Sequence, residues 1–127
     1  DKITRALWNG KFDEALTMVN QALRGDTAGR MSRLLYKRGL AQLGLAEKSG
    51  DLKMYKTAGI SFLRVVIYYP RSTTWQGPSW MEAGYVHQKI GRHDIANRLY
   101  DTASNDIDAA EEPALAKRLE QLQSQSE

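Results

Sequence analysis

The stretch "WMEAGYVHQKIGRHDIANRLYDTA", residues 80–103, contains two stripes of small and aromatic residues with helical spacing. Residues at i, i+3, i+4 and i+7 share one face of a helix, and the first such stripe consists of Trp80, Ala83, Gly84 and His87. The second stripe consists of Ala96, Leu99, Tyr100 and Ala103. Gly91 stands between them, and glycine can end a helix with a positive φ because it has no Cβ. The stretch therefore predicts two helices that pack closely through their small side chains.

The second half of this stretch recurs near the start of the chain. The segment "GKFDEALTMVNQA" (10–22) aligns without gaps to "GRHDIANRLYDTA" (91–103), so that Ala15 matches Ala96. A third related segment, "YKTAGISFLRVVIYYP" (55–70), has Ala58 at the corresponding place. These alanines are 43 and 38 residues apart, so the pattern predicts three related helix pairs with insertions between them.

Residues 80–103 resemble the tetratricopeptide repeat (TPR), a helix-turn-helix unit of about 34 residues. The signature places are filled, without a gap, by Trp80, Ala83, Gly84, His87, Gly91, His93, Ala96, Tyr100 and Ala103. The resemblance implies an all-α fold, a right-handed α-α superhelix, in one TPR-like domain over residues 1–127. It implies a first repeat over about 1–25 with a shortened first helix, a second over about 30–70 with an insertion, a third over about 78–105, and a capping helix over about 113–124.

Two further segments complete the expected architecture. The last helix has Pro113 at an early position, and Leu115, Leu119 and Leu122 lie at i, i+4 and i+7, so it is expected to cover the open face of the final repeat. The insertion in the middle repeat is expected to lengthen its helix pair around "EKSGDLK" (47–53). The segment "PRSTTWQGPS" (70–79) is rich in turn formers and is expected to be a loop.

Both histidines of the chain, His87 and His93, lie in the repeat, and Asp94 follows the second. They stand where the resemblance places aromatic packing residues, and the residue that matches His93 in the first repeat is Phe12, which cannot bind a metal. A zinc site normally needs three or four ligands, and the chain has no third histidine and no cysteine. We therefore expect packing roles and no metal.

Other signs of catalysis are scarce in the sequence. No glycine is followed by the Gly-Lys-Ser/Thr of a phosphate-binding loop. The acidic run "NDIDAAEE" (105–112) lacks the central glycine and the regular ligand positions of a calcium loop. We expect a protein that is not an enzyme and that has no cofactor and no small-molecule substrate.

Charge is unevenly distributed along the chain. Residues 24–71 contain ten Lys/Arg against three Asp/Glu, whereas residues 94–127 contain three against eight. This separation is expected either from a surface that attracts an acidic partner, from head-to-tail self-association, or from solvated faces without a partner. The favoured function is a scaffold that binds a segment of a protein or a peptide in a concave groove. An acidic segment would suit the basic residues. The alternative is a nucleic-acid-binding helical domain that uses the basic 24–71 stretch, although a nucleic-acid partner is less expected.

The resemblance also implies which residues line the groove. They are Lys37, Ala41, Met81, Tyr85, Gln88 and Lys89. The expected basic patch consists of Arg33, Lys37 and Arg38. Members that grip a C-terminal carboxylate carry a lysine and an asparagine where this chain has Met81 and Tyr85, so that ligand class is not expected here. Trp75 is expected either to pack on a neighbouring helix or to serve as an exposed aromatic anchor.

The sequence leaves the compartment open. The longest apolar run, Phe62 to Tyr69, is interrupted by Arg64 and is far shorter than the roughly 20 residues that span a bilayer. The absence of cysteine fits the cytoplasm and a bacterial cell envelope or periplasm equally well. The string "VVIYYPRS" (65–72) also resembles the repeat ends of bacterial envelope assembly lipoproteins.

Overall fold

A computed structural model describes residues 1–126, which form helices and connecting turns without a β-strand. The helices are α1 Lys2–Trp8, α2 Phe12–Leu23, α3 Met31–Ser49, α4 Leu52–Tyr68, α5 Thr73–Lys89, α6 His93–Asp106 and α7 Pro113–Gln125. Each helix packs on the next helix in the chain. The contacts of α7 with α6 and α5 are sparser than those between the other neighbouring helices. Further contacts join α1 to α3 and α3 to α5. The all-α prediction is confirmed.

The two segments that align without gaps form the same turn. Gly10 and Gly91 both have positive φ, 71° and 85°. The amide that follows each glycine donates to a carbonyl five residues earlier, Lys11 to Ala6 at 2.9 Å and Arg92 to His87 at 2.8 Å. The role predicted for Gly91 is therefore confirmed, because a side chain at this φ would strain the backbone.

The three aligned alanines, Ala15, Ala58 and Ala96, are all completely buried. Helix α6 approaches α5 closely at Ala96, since a Cβ added to Gly84 of α5 would lie 2.6 Å from the ring of Tyr100 and 3.3 Å from the carbonyl oxygen of Ala96. The predicted contact through small residues is confirmed.

The core has three parts. The largest joins α3, α4 and α5 around Tyr36, Phe62, Val65 and Val86. A second joins α5, α6 and α7 around Met81, Ala96, Tyr100, Leu119 and Leu122. A small third part consists of Ala6, Ala15 and Ala41 on α1, α2 and α3. The predicted cover by the last helix is confirmed at Leu119 and Leu122, which are buried.

The middle of the chain agrees with one expectation and corrects another. The helix pair around residues 47–53 is long, since α3 runs to Ser49 and α4 begins at Leu52, with the Asp51 side chain accepting from the Lys53 amide at 2.9 Å. The loop expected over residues 70–79 is wrong, since α5 begins at Thr73 and includes Pro78. Tertiary contacts override the turn-forming composition here. The Gln76 side chain donates to the Tyr69 carbonyl at 2.9 Å and fastens the start of α5 to the end of α4.

Candidate functional site

A cavity of about 740 Å³ opens between helices α1, α2, α3, α5 and α7. Helix α3 forms its floor, α1 and the start of α2 form one side, and two residues of α5 with one of α7 form the other. The lining residues are Thr4, Leu7, Trp8, Phe12, Arg33, Tyr36, Lys37, Leu40, Leu43, Gly44, Glu47, Trp75, Glu82 and Arg118.

The floor of the cavity is an apolar stripe on α3. Tyr36, Leu40 and Leu43 lie at i, i+4 and i+7, which places them on one helical face. The ring of Phe12 packs where a side chain at residue 44 would stand, so only a glycine lets α2 approach α3 here. The absence of a side chain at Gly44 thus leaves room for the Phe12 ring at the edge of the floor.

Aromatic side chains border the cavity on both sides. Trp75 packs on Tyr36 with ring centroids 5.2 Å apart. Tyr36 in turn packs on Phe62 of the core at 5.7 Å. Trp8 at the end of α1 is 85% exposed, although it lines the cavity. An exposed tryptophan beside an apolar floor provides a large surface for noncovalent contact.

One end of the cavity is cationic. The side chains of Arg33 and Lys37 line it, and Lys37 Nζ binds Asp1 Oδ2 at 2.8 Å. The Arg33 Nε atom is buried and has no hydrogen-bond partner among residues 1–126. Burial lowers the pKa of Lys37, and the charges of Arg33 and Arg30 lower it further. Lys37 thus already has a carboxylate partner, whereas Arg33 Nε retains a donor that the carboxylate of a ligand would satisfy.

The opposite wall contains a buried ion pair between α5 and α7. Arg118 donates from both Nε and Nη2 to the Glu82 carboxylate, at 3.1 Å and 2.6 Å. Burial raises the pKa of Glu82, although the hydrogen bond and the charge of Arg118 oppose the rise. Burial by itself lowers the pKa of Arg118, but the hydrogen bond and the charge of Glu82 outweigh it, so the pKa of Arg118 is raised. Because the bidentate geometry matches guanidinium to carboxylate, we consider both groups charged at neutral pH.

A second carboxylate at this wall, Glu47, accepts a hydrogen bond from the Tyr85 hydroxyl at 2.9 Å. Burial, together with this hydrogen bond and the charge of Glu47, raises the pKa of Tyr85 above its ordinary value. The Arg118 guanidinium lies over the Tyr85 ring at 5.2 Å, and Lys89 Nζ lies 5.8 Å from the same ring. Both carboxylates that line the cavity thus have side-chain partners within the protein, Arg118 for Glu82 and Tyr85 for Glu47.

The structure corrects two of the predicted groove residues. Ala41 and Met81 are completely buried, Ala41 against Ala6 and Ala15 and Met81 in the core between α5, α6 and α7. Neither side chain reaches a surface that a partner could contact. The expected register is therefore displaced, because the α3 residues that line the cavity include Leu40 and not Ala41.

The other predicted groove residues lie at different places. Lys37 lines the cavity. Tyr85 does not line the cavity, but its hydroxyl donates to Glu47, which does. Lys89 is exposed. Gln88 faces α6, and its Oε1 atom accepts a hydrogen bond from the Tyr100 hydroxyl at 2.7 Å. These four residues do not form one surface.

The predicted basic patch is divided. Arg33 and Lys37 line the cavity, whereas Arg38 Nε donates to the Ser61 hydroxyl of α4 at 3.0 Å. Burial lowers the pKa of Arg38, and the charge of Arg64 lowers it further. Trp75 packs on the neighbouring helix α3, which is the first of the two alternatives expected for it. It also lines the cavity.

Neither histidine lines the cavity. His87 is half-buried, and its Nδ1 atom lies 2.8 Å from the Ala83 carbonyl oxygen. His93 is exposed at the first position of α6, so the packing role expected for it is wrong. The reason is that the matched residue Phe12 packs at Gly44 of the following helix α3, whereas α6 has only sparse contacts with its following helix α7. Within residues 1–126, no three His, Cys, Asp or Glu side chains are grouped as metal ligands.

Sequence reasoning missed most of the lining residues. Trp8 and Phe12 belong to the shortened first helix pair, and Glu82 and Arg118 are 36 residues apart, so no local pattern connects them. The one available signal was the apolar stripe of α3 at Tyr36, Leu40 and Leu43.

None of the helices within residues 1–126 has both the length and the apolar character required to cross a bilayer. Comparison of the chain with protein-family models, with curated proteins and with solved structures gave no match.

Proposed function

We propose that this chain is a non-catalytic protein-interaction module of TPR-like helix pairs, stacked as a right-handed superhelix, whose cavity receives a segment of a partner protein. The observation that carries the proposal is the apolar floor on α3, bordered by Trp8 and Trp75 and large enough for several side chains. The repeated turn at Gly10 and Gly91 and the contacts between α1, α3 and α5 support the stacking. Helical repeats that stack in this way provide extended surfaces for peptides.

The chemistry of the cavity specifies the segment. Apolar or aromatic side chains suit the floor formed by Tyr36, Leu40 and Leu43. An acidic group suits the end formed by Arg33 and Lys37, because the buried Arg33 Nε atom lacks a partner among residues 1–126. The favoured ligand is therefore a short segment with large apolar residues and an acidic residue at one end.

Selection from a random peptide library against the purified chain tests the proposal. We expect the selected peptides to be rich in aromatic and aliphatic residues with an Asp or Glu at a fixed spacing. Binding is then measured by fluorescence anisotropy with Leu40→Glu, whose carboxylate would be buried against the apolar floor by a bound peptide. The expected loss is at least about tenfold in Kd, since an unpaired buried charge costs more than about 1.4 kcal/mol.

The matched control is Ile95→Glu, which introduces the same side chain on α6 away from the cavity. Arg33→Gln should weaken acidic peptides several-fold, whereas Arg24→Gln on the exposed end of α2 should not. Unchanged binding by Leu40→Glu, with the fold verified by circular dichroism, would place the peptide elsewhere and reject the proposal. Failure to select any peptide would also count against it.

A further inference from the structure

The outer face of α4 displays large apolar side chains. Ile60, Ile67 and Tyr68 are 52%, 64% and 69% exposed, and Leu52 at the start of the helix is 53% exposed. These are four of the six exposed large hydrophobic residues among those described. The face of α4 that contains Tyr55, Ala58, Phe62 and Val65 is buried, so the exposed set is opposite the core. Exposed apolar residues grouped in this way mark an interaction surface.

Cations are interspersed with these apolar residues. Lys53, Lys56, Ile60, Arg64 and Ile67 are spaced three or four residues apart and form one stripe along the helix. Arg71 continues the basic series after the helix ends, and residues 52–71 contain no Asp or Glu. With 17 residues, α4 is about 25 Å long, so the stripe is a straight basic and apolar ridge.

This ridge is separate from the cavity. No residue of α4 lines the cavity, whereas α3 and α5, the two helices on which α4 packs, both do. Beside the ridge, Leu63, Val86 and Ile90 line a shallow cleft of about 230 Å³, with Lys56 and Arg92 at its edge. The cleft extends the apolar surface of the ridge and adds a further cation.

We propose that the outer face of α4 docks on the surface of an anionic lipid bilayer. Ile60, Ile67 and Tyr68 would enter the headgroup region, while Lys53, Lys56, Arg64 and Arg71 bind acidic headgroups. Helices that lie in a bilayer surface combine these residue types, and tyrosine is enriched at that depth. Each cation near an anionic surface raises the partition coefficient about fivefold.

The order of residues along the stripe favours lipid over a protein partner. Docking of a protein would bury the cations together with the isoleucines, and each one would then need a carboxylate at a fixed position. Acidic headgroups move laterally and can follow the cations, and long Lys and Arg side chains can extend from an apolar contact toward water. A bilayer therefore accommodates the alternation of Lys56, Ile60, Arg64 and Ile67 without a matched partner surface.

Vesicle sedimentation tests this proposal directly. The whole chain is mixed with phosphatidylcholine vesicles and with vesicles in which about one third of the lipid is phosphatidylserine. We expect binding to the anionic vesicles only, with weakening as the salt concentration rises. Lys56→Glu with Arg64→Glu should lower the partition coefficient at least about 25-fold, because two cations are removed. Ile60→Ser with Ile67→Ser should lower it about tenfold or more, because two apolar side chains no longer enter the interface.

The control is Arg98→Glu with Lys117→Glu, which changes the net charge equally at exposed positions of α6 and α7. All three double variants alter exposed residues, and circular dichroism verifies their fold. Equal weakening by the control would show that overall charge, and not the α4 face, drives binding, and would overturn the proposal. Absence of wild-type binding to anionic vesicles, or equal binding to neutral ones, would overturn it as well. These outcomes leave the cavity's peptide binding unaffected, because the two surfaces share no residue.

Discussion

The buried ion pair between α5 and α7 predicts a specific and pH-dependent loss of stability. Arg118→Met keeps much of the side-chain volume but removes both hydrogen bonds to Glu82. The Glu82 side chain is 5% exposed, so its carboxylate would remain buried without a counterion. Breaking a buried pair by removing one partner typically costs about 3–5 kcal/mol.

The geometry places the expected loss at the lower end of this range. The Arg118 side chain is 39% exposed, so water already screens part of the attraction. Two charge-assisted hydrogen bonds at about 1.5 kcal/mol each give a similar figure. We therefore expect the free energy of unfolding to fall by about 3 kcal/mol at neutral pH.

The pH dependence follows from the pKa of Glu82. Burial raises it above the ordinary 4.5, and loss of Arg118 removes the group that opposes the rise. The folded variant then binds a proton more tightly than the unfolded chain does. Its stability should therefore fall as the pH rises from about 4.5 toward the folded pKa, by up to about 1.4 kcal/mol per pH unit. The deficit of the variant should correspondingly shrink on acidification.

Urea unfolding followed by tryptophan fluorescence at several pH values measures both effects. The double variant Glu82→Met with Arg118→Met replaces the pair by apolar side chains and should lie within about 1 kcal/mol of the wild type. A loss below about 1 kcal/mol for Arg118→Met, or a loss that does not change with pH, would refute the reasoning. A double variant as unstable as the single one would indicate that loss of the Arg118 guanidinium itself, and not the unpaired charge of Glu82, determines the effect.

Three other changes test the packing and capping. Gly84→Ala should cost about 1–3 kcal/mol because its Cβ would meet the ring of Tyr100, whereas Gly25→Ala, with only a backbone oxygen at 3.7 Å, should cost nothing in the same thermal unfolding assay. Tyr100→Phe should cost about 1 kcal/mol by removing the buried hydrogen bond to Gln88, and an unchanged midpoint in urea would contradict that role. Asp51→Ala removes the N-cap of α4 and should lower stability by about 1 kcal/mol, with hydrogen exchange increasing first at the start of that helix.

The helices were largely predictable because their periodicity reports burial directly. Ala15, Ala58 and Ala96 are buried where the alignment of segments placed them, and Gly91 ends α5 with a positive φ. The start of α5 was not predictable, because its composition favours a turn and only contacts with distant residues, such as that of Trp75 with Tyr36, make it helical.

The cavity was much less accessible to sequence reasoning. Its predicted residues followed a register on α3 and α5 that points Ala41 and Met81 into the core. An error of one or two positions on a helix rotates a side chain by 100° or more, so a correct helix can still give a wrong surface. The pairing of Glu82 with Arg118 depends on where α7 returns after α6, which no spacing within either helix encodes.

The dependence of one wall on α7 has a consequence for the ligand that the cavity selects. Cleavage before Pro113 would remove Arg118 and leave Glu82 and Glu47 as the charged groups beside α5. That half of the site, where Arg118 offsets one of the two carboxylates, would lose its only cation, and a positively charged peptide would be attracted there more strongly than before. For the peptide binding proposed above, trimming of the last helix would therefore shift the preference of the cavity toward cationic segments.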